Sequence, residues 1–183
     1  MKKFELTSEF ITNIFGTKLF RIKALIEFGN VKAGELGGFV EKEENLSQDG
    51  NAWVYDNARV YDNARVYGDA WVYGDACVYG DACVCGDARV YGNARVCGDA
   101  RVCGDARVCG DAGYATVHGF GSEYRTTTFF KTKAGDIGVK CGCFYGNLSE
   151  FRKKVVETHG ETKKAKEYLM LADLMEFRFS DNS

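Results

Sequence analysis

The sequence predicts a mainly β fold, a solenoid of short stacked strands between two caps, and three observations carry that expectation. From Asn51 to Ala112 one phrase, [Asn/Asp]-Ala-x-Val-[Tyr/Cys]-[Gly/Asp], runs ten times without insertion, its beat marked by a valine every six residues from Val54 to Val108. Six residues span less than two helical turns, so no 3.6-residue apolar stripe emerges. Within each phrase Ala and Val, two residues apart, share one face while the residues beside Val point the other way, as in a strand. The pair after each strand, Gly-Asp, Gly-Asn or Asp-Asn, suits a turn that needs permissive backbone. One such strand buries too little alone, since a buried Val is worth about 1.5 to 3 kcal/mol against the ordering cost of a whole hexad. Stacking on neighbours is what makes it stable.

The elements follow in chain order. Residues 1–37 read as an N-terminal cap in which FELTSEFI packs over the first coil and LFRIKAL, Leu19 to Leu25, alternates as a strand. Gly37-Gly38 gives the chain freedom to enter the solenoid, assigned to residues 38–114. Val40 and Leu46 already keep the beat, and the step from Leu46 to Val54 adds two residues around Gln48, Asp49 and Gly50. Both ends of a stack expose open strand edges, which the flanking segments are expected to cover. The beat fails after Ala112, where GYATVHGFGS reads as an exit, and residues 115–183 form a small α+β cap. Ser122 to Thr132 and Ile137 to Phe144 read as a hairpin joined by Lys-Ala-Gly-Asp. Asn147-Leu-Ser-Glu150 has capping-box spacing and opens a helix to about His159, stopped by Gly160, with Leu148, Phe151, Val155 and Val156 on one face. A second helix, about Thr162 to Phe177, places Ala165, Tyr168, Leu169, Ala172 and Met175 on a buried stripe, with Lys163, Lys164 and Lys166 solvated.

Length and charge narrow the function. The 183 residues suit one soluble domain, and 24 Lys plus Arg against 26 Asp plus Glu leave a formal charge of -2, so general nucleic-acid binding is not expected. No run of about 18 apolar residues occurs to cross a bilayer and no long apolar run follows the first lysines, so a cytoplasmic protein is expected. Proline is absent, which removes kinked loops and Pro-rich linkers. Six of the eight cysteines, Cys77, Cys83, Cys85, Cys97, Cys103 and Cys109, occupy outward positions held elsewhere in the repeat by Arg, Trp or Tyr, the pattern of substitution among duplicated units. Exposed thiols suit a reducing compartment. Cys141 and Cys143 form a lone CGC without the second pair of a zinc site, so no metal is assigned.

The phrases NAWVYD, NARVYG, GDACVY and GDARVC resemble the hexapeptide-repeat proteins. The resemblance implies a left-handed parallel β-helix of triangular cross-section with three hexads to a coil, hence about four coils here. The handedness comes from the resemblance alone, because ordinary parallel crossovers are right-handed in roughly 98% of cases. RIKALIEFGNVKAGELGGFVEKEENLSQDGNAWVY, together with TFFKTKAGDIGVKCGCFYGNLSEF and ETKKAKEYLMLADL, further resembles poorly characterised bacterial and phage proteins labelled polymer-forming or acyltransferase-like.

With three hexads per coil, residues 18 apart stack and the outward positions sort into ladders. One face carries Trp53, Trp71, Arg89 and Arg107 beside Tyr55, Tyr73, Tyr91 and Cys109. The second carries Arg59, Cys77 and Arg95 beside Tyr61, Tyr79 and Cys97, and the third Arg65, Cys83 and Arg101 beside Tyr67, Cys85 and Cys103. In that geometry Cys85 and Cys103 sit at about the 4.8 Å spacing of paired strands, a distance that admits a disulfide, although side chains on in-register strands point the same way. Tyr and Arg ladders are good sheet surface in themselves. They are also the candidate ligand or partner surface, since an Arg beside a ring can bind a phosphate and stack a base. An exposed Trp53/Trp71 and Tyr55/Tyr73 patch would suit subunit contact.

Three functional readings follow. Near-identical hexads offer the same groups repeatedly, whereas catalysis needs different groups at fixed positions. Residues 51–112 contain no Ser, Thr or His, and neither a G-x-S-x-G elbow nor a phosphate-cradling G-x-x-x-x-G-K run occurs. The first reading is therefore a non-catalytic binding or assembly protein without a cofactor, self-associating as a trimer or dimer. The second, implied by the resemblance, is a trimeric acyltransferase binding acetyl-CoA between coils, with His118, at the break of the repeat, as general base. His159 falls at a helix end, where a dipole-facing cation is the plain reading. The third is a phage-borne sponge for a small nucleotide held by Arg and Tyr.

Overall fold

A computed structural model of the protein describes residues 1–121 and 123–180, so the strand start placed at Ser122 lies outside the described residues. The chain divides into two units, Met1–Ala112 and Gly113–Ser183.

The first unit opens with β1 (Phe4–Thr12), β2 (Lys18–Ala24) and β3 (Leu36–Val40). The hexads then supply β4 (Trp53–Val54), β5 (Arg59–Val60), β6 (Arg65–Val66), β7 (Trp71–Val72), β8 (Cys77–Val78), β9 (Cys83–Val84), β10 (Arg89–Tyr91), β11 (Arg95–Val96), β12 (Arg101–Val102) and β13 (Arg107–Cys109). Strands three hexads apart pair in parallel, giving the faces β4-β7-β10-β13, β3-β5-β8-β11 and β6-β9-β12. The alternation read from the phrase is what the packing uses: every hexad Ala from Ala52 to Ala106 and every Val from Val54 to Val108 is fully buried. The backbone ladder closes between coils, as in Trp71 N to Ala88 O at 2.9 Å and Arg89 N to Ala106 O at 2.9 Å. The turns stack as well. Gly86 has φ +66, and a Cβ there would lie 2.8 Å from Gly104 N, so both torsion and space require glycine. Asn51, Asn57 and Asn63 donate across one coil to Asp69, Asp75 and Asp81 at 2.8, 3.3 and 3.1 Å.

The two extra residues of the first coil are visible as a change of register. Val40 faces Val60 and Leu46 faces Val66, twenty residues on, whereas Val54 faces Val72 at the regular spacing. The insertion is where the N-terminus latches. Gln48 Oε1 accepts from Lys3 N at 2.8 Å, and Lys3 Nζ donates to Ala52 O at 3.0 Å and lies 4.9 Å from the Phe28 ring centre. Strands β1 and β2 form an antiparallel hairpin that extends the β3 face edgewise. Gly37 and Gly38 are needed here for space rather than torsional freedom, because a Cβ would come within 2.5 Å of Val54 O and 2.6 Å of Ala58 O.

The second unit is a four-stranded antiparallel sheet, β14 (Tyr114–Phe120), β15 (Arg125–Lys131), β16 (Ile137–Cys141) and β17 (Phe144–Asn147), followed by α1 (Leu148–His159) and α2 (Lys163–Phe179). The segment read as an exit, Tyr114–Phe120, is thus a strand. Its partner β15 buries Thr127, Thr128, Phe129 and Phe130 completely, and a strand buried on both faces requires hydrogen-bonded neighbours on both edges. The turn at Gly142, φ +56, splits off β17 from what the sequence suggested was one strand. The α1 capping box is present, Glu150 N to Asn147 Oδ1 at 2.9 Å and Asn147 N to Glu150 Oε2 at 2.8 Å. Leu148, Phe151 and Val155 join the core, while Val156 is 52% exposed; on α2, Leu171 and Phe179 are buried and Leu169 packs at the margin. No helix among the described residues is long and apolar enough to cross a membrane.

Two outcomes are expected. Val84→Asp places an unpaired carboxylate in the stack, at a cost of several kcal/mol, so circular dichroism and solubility should report unfolding or aggregation; Cys83→Asp, pointing outward beside Arg65 and Arg101, should leave both unchanged. Burial lowers the Lys3 ammonium to about 8, with Asp49 opposing. Below that value folded and unfolded chains both hold the proton and the folded chain bears the full penalty. Between about 8 and the unfolded value of 10.5 the unfolded chain binds more protons, so this contribution to stability rises with pH. Urea melts at pH 7.5 and 9.5 should show a rise in the wild type that is smaller in Lys3→Met.

Candidate functional site

The candidate surface is built by the residues on either side of each buried Val. On the face β4-β7-β10-β13, the Arg89 guanidinium lies 4.0 Å from the Trp71 ring centre, and Tyr55 meets Trp71 edge-on at 5.4 Å and 64°. Tyr73 and Tyr91 stack at 5.1 Å with planes 5° apart. Arg89 and Arg107 each reach down one coil, donating from Nη1 to Asp69 O at 2.8 Å and Asp87 O at 2.9 Å. Burial and the neighbouring Arg107 lower the pKa of Arg89, and burial raises those of Tyr55 and Tyr73. These phenols therefore stay neutral donors at physiological pH.

On the face β5-β8-β11, Tyr61 and Tyr79 stack at 5.1 Å and 3°. Hydrogen bonding to Cys97, then burial, pushes Tyr79 up to about 12. Arg59 is half-buried and Arg95 exposed, with Cys77 between them in register. On the face β6-β9-β12, Arg65 and Arg101 are exposed, Tyr67 is 43% exposed, and Tyr67 is raised chiefly by its hydrogen bond to Cys85. A shallow groove of about 730 Å³ runs past Glu43, Glu44, Arg65, Tyr67 and Cys83.

Trp53 departs from the expectation. It was placed on the exposed ladder with Trp71, but it is fully buried, packed edge-on against Phe28 at 5.3 Å and Phe4 at 6.1 Å. Phe4 of the N-terminal hairpin and Phe28, which follows it, cover Trp53, so the exposed part of this Trp/Arg column begins at Trp71. The remaining ladder residues reach solvent in part or fully.

His118 lies on β14, exposed, with Nδ1 3.1 Å from Thr126 Oγ1. The position is an exposed rung of the antiparallel sheet of the second unit. One cluster was not legible in the sequence: a cavity of about 230 Å³ in the second unit lined by Arg125, Cys141, Phe144, Phe151, Lys154, His159 and Tyr168. Cys141 Sγ accepts from Thr127 Oγ1 at 3.1 Å and lies 3.9 Å from Tyr168 OH, and His159 stacks on Tyr168 at 5.8 Å and 26°. Burial, then Cys141, pushes Tyr168 up to about 12. These residues come from β15, β16, β17 and both helices, and no spacing in the sequence links them. Among the described residues no group of three or more His, Cys, Asp or Glu is placed to hold a metal ion.

The repeat matches the family described as the YdcK beta solenoid repeat over residues 52–68, 58–74, 82–98 and 88–104. The chain is also 40% identical over 63 residues to a protein of Escherichia coli (strain K12) named as an uncharacterized acetyltransferase, YdcK. That similarity covers 31% of this chain and 19% of the relative, so the chain spans about a fifth of the protein it matches.

The contact of Arg89 with Trp71 should be measurable. Arg89→Ala is expected to cost about 0.5–1 kcal/mol and to red-shift the emission of Trp71, while the buried Trp53, the other tryptophan of the chain, keeps its blue emission. Equilibrium unfolding followed by fluorescence checks both.

Proposed function

Taking a β-solenoid of hexapeptide-repeat type as the premise, we propose that the protein is a non-catalytic binding or assembly module whose partner, first of all, is a second copy of itself. The observation that supports this reading is the parallel stacking of Tyr73 on Tyr91 and Tyr61 on Tyr79, with Arg89 laid over Trp71. Rings held by their neighbours lose little freedom on binding, so a flat, pre-organised surface of aromatic and guanidinium groups favours association. Repeated rungs suit a repeated partner. Light scattering on the full chain should give a mass two or three times 20.3 kDa, and Tyr73→Glu/Tyr91→Glu should reduce it to one chain with the circular dichroism intact. A monomeric wild type at tens of micromolar would remove self-association from the reading.

The similarity to a protein named as an acetyltransferase favours a second reading, an acetyl-CoA-dependent acyltransferase with His118 as base. A rise in melting temperature with acetyl-CoA, and transfer activity lost in His118→Ala, would establish it in place of the first. The absence of any acetyl-CoA effect would remove it.

A further inference from the structure

The six cysteines of the repeat separate by register. Before Val, Cys77 pairs in its column with Arg59 and Arg95, and Cys83 with Arg65 and Arg101, one thiol to a column. After Val, the first column ends Tyr73, Tyr91, Cys109 and the second reads Tyr61, Tyr79, Cys97, again one thiol each. The third column, Tyr67, Cys85, Cys103, is the single one of the repeat with cysteines on successive rungs. There the sulfurs meet, Cys85 Sγ to Cys103 Sγ at 2.8 Å. The backbone beneath is locked by Cys85 N donating to Val102 O at 2.9 Å. Paired strands hold Cα atoms about 4.8 Å apart, inside the range of about 4.4 to 6.8 Å that a disulfide accepts. The next thiol along the strand, Cys83, is two residues away, about 6.6 Å in extended chain, at the far limit of that range. Both Cys85 and Cys103 are partly exposed, and the Tyr67 hydroxyl is hydrogen-bonded to Cys85.

We propose that Cys85 and Cys103 form a redox modification site, a stacked dithiol that a peroxide converts to an intrachain disulfide joining the third and fourth coils. One thiolate attacks a peroxide oxygen, the O–O bond breaks, and a sulfenic acid and the first water form. The second sulfur then attacks the sulfenyl sulfur, the S–O bond breaks and a second water leaves. Two thiols and one hydrogen peroxide give one disulfide and two waters; the sulfurs lose two electrons, and both thiol protons end in water. The bond closes a loop of one coil, the two cysteines being 18 residues apart, and pins the fourth coil to the third. Opposed side-chain directions are not needed, because on this face the stack itself brings the two sulfurs into contact.

The test is oxidation of the full chain with equimolar hydrogen peroxide, then alkylation and tandem mass spectrometry of tryptic peptides. The expected product has lost two thiols per chain, carries a Cys85–Cys103 cross-link, migrates as a single chain on a non-reducing gel, melts several degrees higher and reverts with dithiothreitol. Cys85→Ser and Cys103→Ser should each abolish the thermal gain, and Cys97→Ser should keep it. The proposal is overturned if Cys85 and Cys103 remain alkylatable while other thiols are consumed, if the disulfides join two chains, or if Cys85→Ser gains stability equally.

Discussion

Everything in the first unit depends on the burial of one Ala and one Val per hexad in an 18-residue register. Neither side chain is large, and a single hexad could not hold its own backbone in place. Stacked, the same residues leave no surface exposed from Ala52 to Val108, and strand N–H groups of one coil donate to carbonyls of the next, from Trp53 N to Ala70 O through Arg89 N to Ala106 O. The turns inherit the period. A glycine with positive φ in one coil sits against a glycine of the next, and Asn and Asp side chains bond one coil apart, so a side chain inserted at Gly86 would disturb packing and torsion together.

The start of the stack is set by the one place where the period breaks. Two extra residues near Gln48 shift the first coil's register and create acceptors that the N-terminus uses, Gln48 Oε1, Gly50 O and Ala52 O, all engaged by Lys3. This holds a lysine ammonium in a nearly dry position, where burial lowers its pKa, and it seats Phe4 and Phe28 on Trp53. A tryptophan that belongs to the outward set by sequence becomes core through that cover. The hairpin also supplies hydrogen-bonding partners to the β3 edge, which a bare solenoid would leave open.

Chemical variety in the repeat is confined to the outward positions of the hexads. The outward positions give rigid columns of Tyr, Arg and Cys, and stacking makes each column behave as a unit: Arg89 is held by Trp71 and by Asp69 O, Tyr79 by Tyr61 and Cys97. Such columns are chemically simple and regular in spacing, and the binding role proposed above rests on them. The second unit holds the chain's less repetitive chemistry, with His118 on an outward rung and Cys141, His159 and Tyr168 around a small cavity.

The sequence by itself determined the solenoid, its inward Ala and Val, the residues that share each ladder once three hexads make a coil, and the helix boundaries marked by Asn147, Gly160 and Thr162. These are properties of local period, turn chemistry and capping, and each is written in residues a few positions apart. Tertiary structure alone decided that Trp53 is buried, that Tyr114–Phe120 is a strand, that Cys141, His159 and Tyr168 share a cavity, and that Cys85 and Cys103 touch at the sulfurs. The physical reason is the same in each case. Whether an outward side chain meets solvent, a neighbouring strand or another thiol depends on segments remote in the chain, and no local pattern records what will be laid against it.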